Sequence, residues 1–190
     1  MEPVLVSTLV VALAEIGDQT QLLAILLATR FRKPWPIIAG ILVATIANHL
    51  LAATVGYLIA DFLKGAWVRY LIAASFFATA AWALMPDKAD EKAGEASHLG
   101  VFMTTVVSFF LVEMGDKTQI AAISLAARFH SIAPVAAGTT LGMMIANVPA
   151  VFLGERATRF APLRLIRIGA ALVFVALGAW TLLAAVRGWN

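Results

Sequence analysis

Four carboxylates pose the chemical question in this sequence. Glu15 and Asp18 stand in Glu15-Ile16-Gly17-Asp18-Gln19-Thr20-Gln21, and Glu113 and Asp116 in Glu113-Met114-Gly115-Asp116-Lys117-Thr118-Gln119. Each pair sits inside an apolar run long enough to cross a bilayer. An ionised acid near the centre of a spanning helix costs roughly 2.5–3.5 kcal/mol, so a chain that keeps such groups there uses them. Acids clustered in a dry place point to a bound cation. On a regular helix, residues three apart share a face, which puts Glu15, Asp18 and Gln21 together, and Glu113, Asp116 and Gln119 likewise. If the two pairs face each other, carboxylate and amide oxygens surround one point. Hard divalent cations such as Ca2+, Mg2+ and Mn2+ favour that ligand set.

Gly17 and Gly115 separate the acids in both copies. Glycine inside a helix costs about 1 kcal/mol relative to alanine, so its recurrence implies close helix approach or an unwound turn. Thr20 and Thr118 add hydroxyl oxygens to the site only if the helix departs from regular geometry there. Four acids around one divalent ion leave excess negative charge, and the natural exchange is metal in, protons out. The competing structural reading is that the acids bridge helices or pair with Lys117, which offsets one of them. Asn48, His49 and Asn147 lie deep in apolar segments, where polar side chains commonly join helices. Together with Lys117, Gln21, Gln119, Thr20 and Thr118 they are secondary candidates for the cation site or its coupling, with His49 as a proton relay. Gly138 and Gly142 have helix-packing spacing, and Met114, Met143 and Met144 read as packing residues.

The elements that must hold these groups follow from composition. Of 190 residues, 62% are hydrophobic and 13% charged, and the mean hydropathy is +0.90. Soluble domains are nearer 45–50% apolar and about 25% charged, so this is an all-α integral membrane protein. The absence of cysteine excludes disulfides and thiolate metal sites. The start Met1-Glu2-Pro3 lacks the basic region of a signal peptide and reads as the beginning of the first span. No basic stripe interleaved with aromatic residues suggests nucleic acid.

Six stretches have the length and apolarity of a transmembrane helix: Val4–Thr29, Ile37–Ala60, Ala66–Met85, Val101–Ala127, Ile132–Leu153 and Ile166–Val186. The hydrophilic run Pro86 to His98 lies between the third and fourth. The chain therefore divides into 1–85, a linker at 86–99, and 100–190. These halves repeat. At an offset of 98, Glu15–Phe31 and Glu113–Phe129 are identical at 11 of 17 positions, and Pro36, Gly40, Gly56, Phe76 and Trp82 recur as Pro134, Gly138, Gly154, Phe174 and Trp180. An odd number of crossings per unit predicts inverted repeats about an axis in the membrane plane, an architecture common in transporters. Nine Lys and Arg residues fall on the linker side and four on the other, which predicts a cytoplasmic linker and both termini outside.

With its duplicated Glu-x-Gly-Asp-(Lys/Arg)-(Thr/Ser) motif in two three-helix units, the chain resembles the Gdt/MneA family of manganese and calcium transporters (Ca2+:H+ antiporter-2 type). The resemblance covers nearly the whole chain. It implies that Glu15, Asp18, Glu113 and Asp116 form the cation site, and that Mn2+ or Ca2+ leaves the cytosol in exchange for protons. It implies no cofactor and no enzymatic activity. The short length favours a manganese exporter of a bacterial inner membrane. One departure from the pattern is Gln19, where the family has Lys or Arg; the second copy keeps Lys117. Two rivals stand beside this reading. An exporter of a small organic cation or amino acid needs an apolar cavity and a partner for the substrate's carboxylate. A metal-dependent lipid-pyrophosphate phosphatase needs basic groups at the reacting centre, where no Arg lies. The sequence leaves the oligomeric state open.

Overall fold

The structure, a computed structural model, describes residues 1–62, 67–85, 100–154 and 163–187. The expected linker lies outside the described residues. Among those described, the chain forms eight helices and no strands: α1 (Glu2–Glu15), α2 (Gln19–Phe31), α3 (Pro34–Phe62), α4 (Trp67–Ala83), α5 (Gly100–Glu113), α6 (Lys117–Phe129), α7 (Ala133–Leu153) and α8 (Leu163–Arg187).

Two of the expected spans are not single helices. Val4–Thr29 divides into α1 and α2, and Val101–Ala127 into α5 and α6, each at the acidic motif. The physical reason is local. Gly17 takes φ 80° and Gly115 φ 83°, in the left-handed region that ends a right-handed helix. The axes of α1 and α2 consequently differ by 68°. Helices α3, α7 and α8 are each long and apolar enough to cross a bilayer, and α1 with α2 qualifies as a bent pair. Helix α4 has 17 residues; at about 1.5 Å per residue it covers most of a hydrocarbon core about 30 Å thick.

Apolar side chains cover the outside and polar ones fill the inside. Leu51 and Val55 on α3, Leu141 and Ile145 on α7, and Leu172 and Leu183 on α8 are exposed, whereas all four motif acids, Asn48, His49 and Asn147 are buried. This distribution suits lipid as solvent, and the protein is a multi-pass membrane protein. The buried apolar residues form two clusters. One gathers Phe76 and Phe174 with Val10, Leu125 and Val135; the other joins Leu23 and Leu27 to Ile37, Ile41 and Phe109.

Much of the packing recurs when the halves are exchanged, although among the described residues the contacts of α4 with α6 and of α1 with α8 have no counterpart of similar extent. Helix α1 lies on α7 and α5 on α3; α2 lies on α7 and α6 on α3; α1 meets α6 and α5 meets α2. The close approaches recur as well. A Cβ on Gly40 would lie 2.9 Å from the Phe102 carbonyl oxygen and 2.7 Å from Thr105 Cβ, and one on Gly138 would lie 2.5 Å from the Val4 carbonyl and 2.9 Å from Ser7 Cβ. Gly142 makes the next such contact one turn on, 2.6 Å from the Thr8 carbonyl. The small-residue spacing at 138 and 142 thus lets α7 approach the backbone of α1. Gly138→Ala is expected to lower stability by about 1–3 kcal/mol, because backbone must move to admit the methyl group. Gly169→Ala is the matched control: its Cβ meets nothing within 4 Å, and the change should stabilise α8 by up to about 1 kcal/mol. Thermal unfolding in detergent measures both signs.

Candidate cation site

Each break is built by its own short sequence. Asp18 caps α2 with its side chain accepting from the Thr20 N–H, and Asp116 caps α6 by accepting from the Thr118 N–H. The cap backbones coincide, at φ −79°, ψ 167° for Asp18 and φ −78°, ψ 167° for Asp116. Gln21 and Gln119 reach back across the breaks: Gly17 N–H donates to Gln21 Oε1 at 2.8 Å, and Gly115 N–H to Gln119 Oε1 at 2.7 Å. These amide oxygens satisfy backbone donors that the broken helix leaves without carbonyl partners. Glu15 and Glu113 end α1 and α5, while Asp18 and Asp116 begin α2 and α6. The acids of each pair therefore flank a break instead of sharing a regular helix face.

The break also brings in the threonines. Thr118 Oγ1 donates to Glu113 Oε1 and lies 3.2 Å from Asp116 Oδ2. Thr20 Oγ1 is 3.5 Å from Asp18 Oδ2. Both hydroxyls are at the carboxylates because the chain is not a straight helix at this point.

Contacts between the halves are reciprocal. Lys117 Nζ forms an ion pair with Asp18 Oδ1. At the equivalent position in the first half, Gln19 Nε2 donates to Asp116 Oδ1 at 3.3 Å and to the Val112 carbonyl at 3.4 Å. Each Asp is thus met by the residue that follows the other Asp. The glutamates show the same exchange: Asn147 Nδ2 donates to Glu15 Oε1 at 3.3 Å, and His49 Nε2 is 3.6 Å from Glu113 Oε1. Asn147 also donates to the Met143 carbonyl at 3.1 Å. Asn48 joins α3 to α5 by donating to the Phe110 carbonyl at 3.0 Å.

Glu15 lies within electrostatic reach of Asp18, Glu113 and Asp116, so both halves' acids share one region. Buried oxygens there lack hydrogen-bond partners, including Glu15 Oε2, Glu113 Oε2, Asn48 Oδ1 and Asn147 Oδ1. Among the described residues, no three His, Cys, Asp or Glu side chains are grouped as metal ligands. Gln21 and Gln119 sit beside the acids with their oxygens on the glycine N–H groups, and Met114 is exposed. Gln19 was not among the residues the spacing singled out. Its signal was the 98-residue offset, which makes it the counterpart of Lys117.

Buried acids at paired helix breaks, inside a bundle whose outer surface is apolar, define a polytopic membrane protein that handles cations. The chain belongs to the GDT1 family: the family model described as "Divalent cation/proton antiporter GDT1" matches residues 3–91 and 101–189. It is 46% identical over 176 residues to the "Putative manganese exporter" of Vibrio cholerae, covering 92% of this chain and 88% of that protein. A GDT1-like protein of Synechocystis sp. is 29% identical over 200 residues, with 93% and 96% covered. GDT1-like protein 5 of Arabidopsis thaliana is 24% identical over 213 residues, with 92% of each covered. No solved structure matches the chain. The family is one of transporters, so the protein is a cation transporter and not an enzyme.

Proposed function

We propose that the protein exports Mn2+ from the cytosol in exchange for protons, with Glu15, Asp18, Glu113 and Asp116 holding the ion near the middle of the membrane. The observation that carries this reading is the convergence of two helix breaks, each with a buried Glu and a buried Asp, in reciprocal contact across the halves. Oxygen ligands suit Mn2+ and Ca2+ alike; the similarity to a protein named for manganese export favours Mn2+. Proton exchange follows from charge: carboxylates emptied of metal in a dry site are neutralised by protons, which the next ion displaces.

The two halves act as inverted repeats of three spans each, with the broken pairs α1–α2 and α5–α6 counted as one span apiece. Recurrence of most helix contacts and of the glycine approaches with the halves exchanged supports this, as does the 98-residue offset of the two stretches matched by the family model. Alternating access is then a rocking of one repeat against the other about the acids. Basic residues at Arg30, Arg32, Lys33, Arg164 and Arg167 mark the cytoplasmic side, leaving the termini outside. The bacterial relative favours the inner membrane.

Proteoliposomes loaded with a pH dye and a Mn2+-quenchable dye test the reading. Inward Mn2+ flux accompanied by outward proton movement is expected, with collapse of the pH gradient reducing the flux. Mn2+ flux that leaves internal pH unchanged would remove the exchange, and failure of Mn2+ and Ca2+ to cross would overturn the transport reading.

A further inference from the structure

The two halves of the site also differ in what faces their glutamates. At the position 98 residues apart, the first half carries His49 and the second Asn147. The Asn147 amide makes a hydrogen bond to Glu15. The His49 imidazole does not make the equivalent bond to Glu113, although it is completely buried. Neither of its ring nitrogens has a hydrogen-bond partner, and Glu113 Oε2 is in the same condition. An imidazole always carries at least one N–H donor, and leaving such a donor unmet in a dry interior is costly.

The separation of the two groups suggests what belongs between them. His49 Nε2 and Glu113 Oε1 are 3.6 Å apart, too far for a hydrogen bond. Two ligands on adjacent corners of an octahedron, about 2.2–2.5 Å from a common ion, are roughly 3.1–3.5 Å apart. The pair stands just outside that spacing, so a small inward movement of either side chain lets both reach one cation. Thr118 Oγ1 donates to Glu113 Oε1 and so orients that carboxylate, as outer partners of metal ligands do.

We propose that His49 is a direct nitrogen ligand of the transported cation, paired with Glu113, and that it sets preference for Mn2+ over Ca2+. This rests on the cation-site reading above and adds the residue that decides specificity. Calcium takes oxygen ligands almost exclusively, whereas Mn2+, although it too favours oxygen, accepts an imidazole nitrogen more readily than calcium does. A site with one nitrogen among its oxygens therefore gives up calcium affinity and keeps manganese. Asn147, which offers only an amide, leaves the Glu15 half without that discrimination.

Mn2+ is itself the probe, since its electron spin reports directly bound 14N nuclei. The full-length, untagged chain in detergent is loaded with one equivalent of Mn2+ and measured by electron spin-echo envelope modulation. Wild type is expected to show imidazole 14N modulation. His49→Asn, which copies the residue of the other half, should lose that modulation, still bind Mn2+, and show Mn2+/Ca2+ selectivity reduced about tenfold or more. Should that variant not remain monodisperse, His49→Gln replaces it. Stoichiometric Mn2+ without 14N modulation in wild type would overturn the ligand assignment and leave the carboxylate site intact. Modulation that survives in the variants would assign the nitrogen to another histidine and overturn it equally. If wild type binds no Mn2+, both this inference and the cation-site reading fall.

Discussion

Asp116→Asn is expected to reduce Mn2+ flux by at least about 10-fold, since losing a charged ligand should cost no less than losing an outer partner of one. Of the four acids it gives the cleanest test. Its cap on α6 survives the change, because Asn caps a helix about as well as Asp and keeps an oxygen for the Thr118 N–H. The cap uses Asp116 Oδ2 and the Gln19 amide donates to Oδ1 at 3.3 Å, so the Asn that keeps the cap turns its NH2 to Gln19, whose own amide oxygen can rotate to accept from it. Charge is removed while the local fold is retained, so a folded but inactive variant is the result to look for. Flux and thermal unfolding measured on the same preparation separate the two effects. Asp18→Asn is less clean, because it also takes away the carboxylate that Lys117 pairs with. Full flux in Asp116→Asn would remove Asp116 from the site.

Lys117→Met is expected to produce the second large effect, on stability. The Lys117–Asp18 pair is buried on both sides and joins the two halves. Removing one partner of a buried ion pair costs about 3–5 kcal/mol, because the remaining charge loses its counter-ion while staying out of water. Two further results distinguish this cause from a packing loss. Asp18→Asn in the Lys117→Met background should recover most of the lost stability, as a double-mutant cycle. Mn2+ should raise the unfolding temperature of Lys117→Met more than that of wild type, because a bound cation replaces the missing ammonium. An unfolding temperature that does not move in Lys117→Met would show that the pair contributes little. Lys117→Gln should be milder than Lys117→Met, since Gln19 shows how an amide at this position reaches the opposite carboxylate.

The contrast between Gln19 and Lys117 also bears on transport. In the first half the ammonium of Lys117 already sits on Asp18, so a metal ion that uses Asp18 would have to displace it. In the second half the neutral amide of Gln19 sits on Asp116. The two Asp residues are equivalent in sequence and backbone, yet at the proposed site they would meet a cation differently. That asymmetry, with His49 opposite Glu113 and Asn147 opposite Glu15, distinguishes two otherwise matching half-sites.

Much of this was legible in the chain alone. Composition marks a membrane protein, because only lipid tolerates so apolar a surface. The 98-residue repeat and the four acids stand in the sequence without any coordinates. The glycines at 17 and 115 announce an irregularity, and the Asp and Thr that follow are residues that begin helices. Spacing arguments went astray where they assumed one helix through Glu15 and Asp18, since a regular period has no meaning across a residue at positive φ. Only the tertiary structure decided which side chains meet. Gln19 and Asp116 are separated by 97 positions and Asn147 and Glu15 by 132. His49 gains its meaning from Glu113 on another helix. Local sequence sets where a helix starts and breaks because those are contests between neighbouring backbone groups. Which buried acid faces an ammonium, an amide or an imidazole is settled by how whole helices pack, and no period along the chain records it.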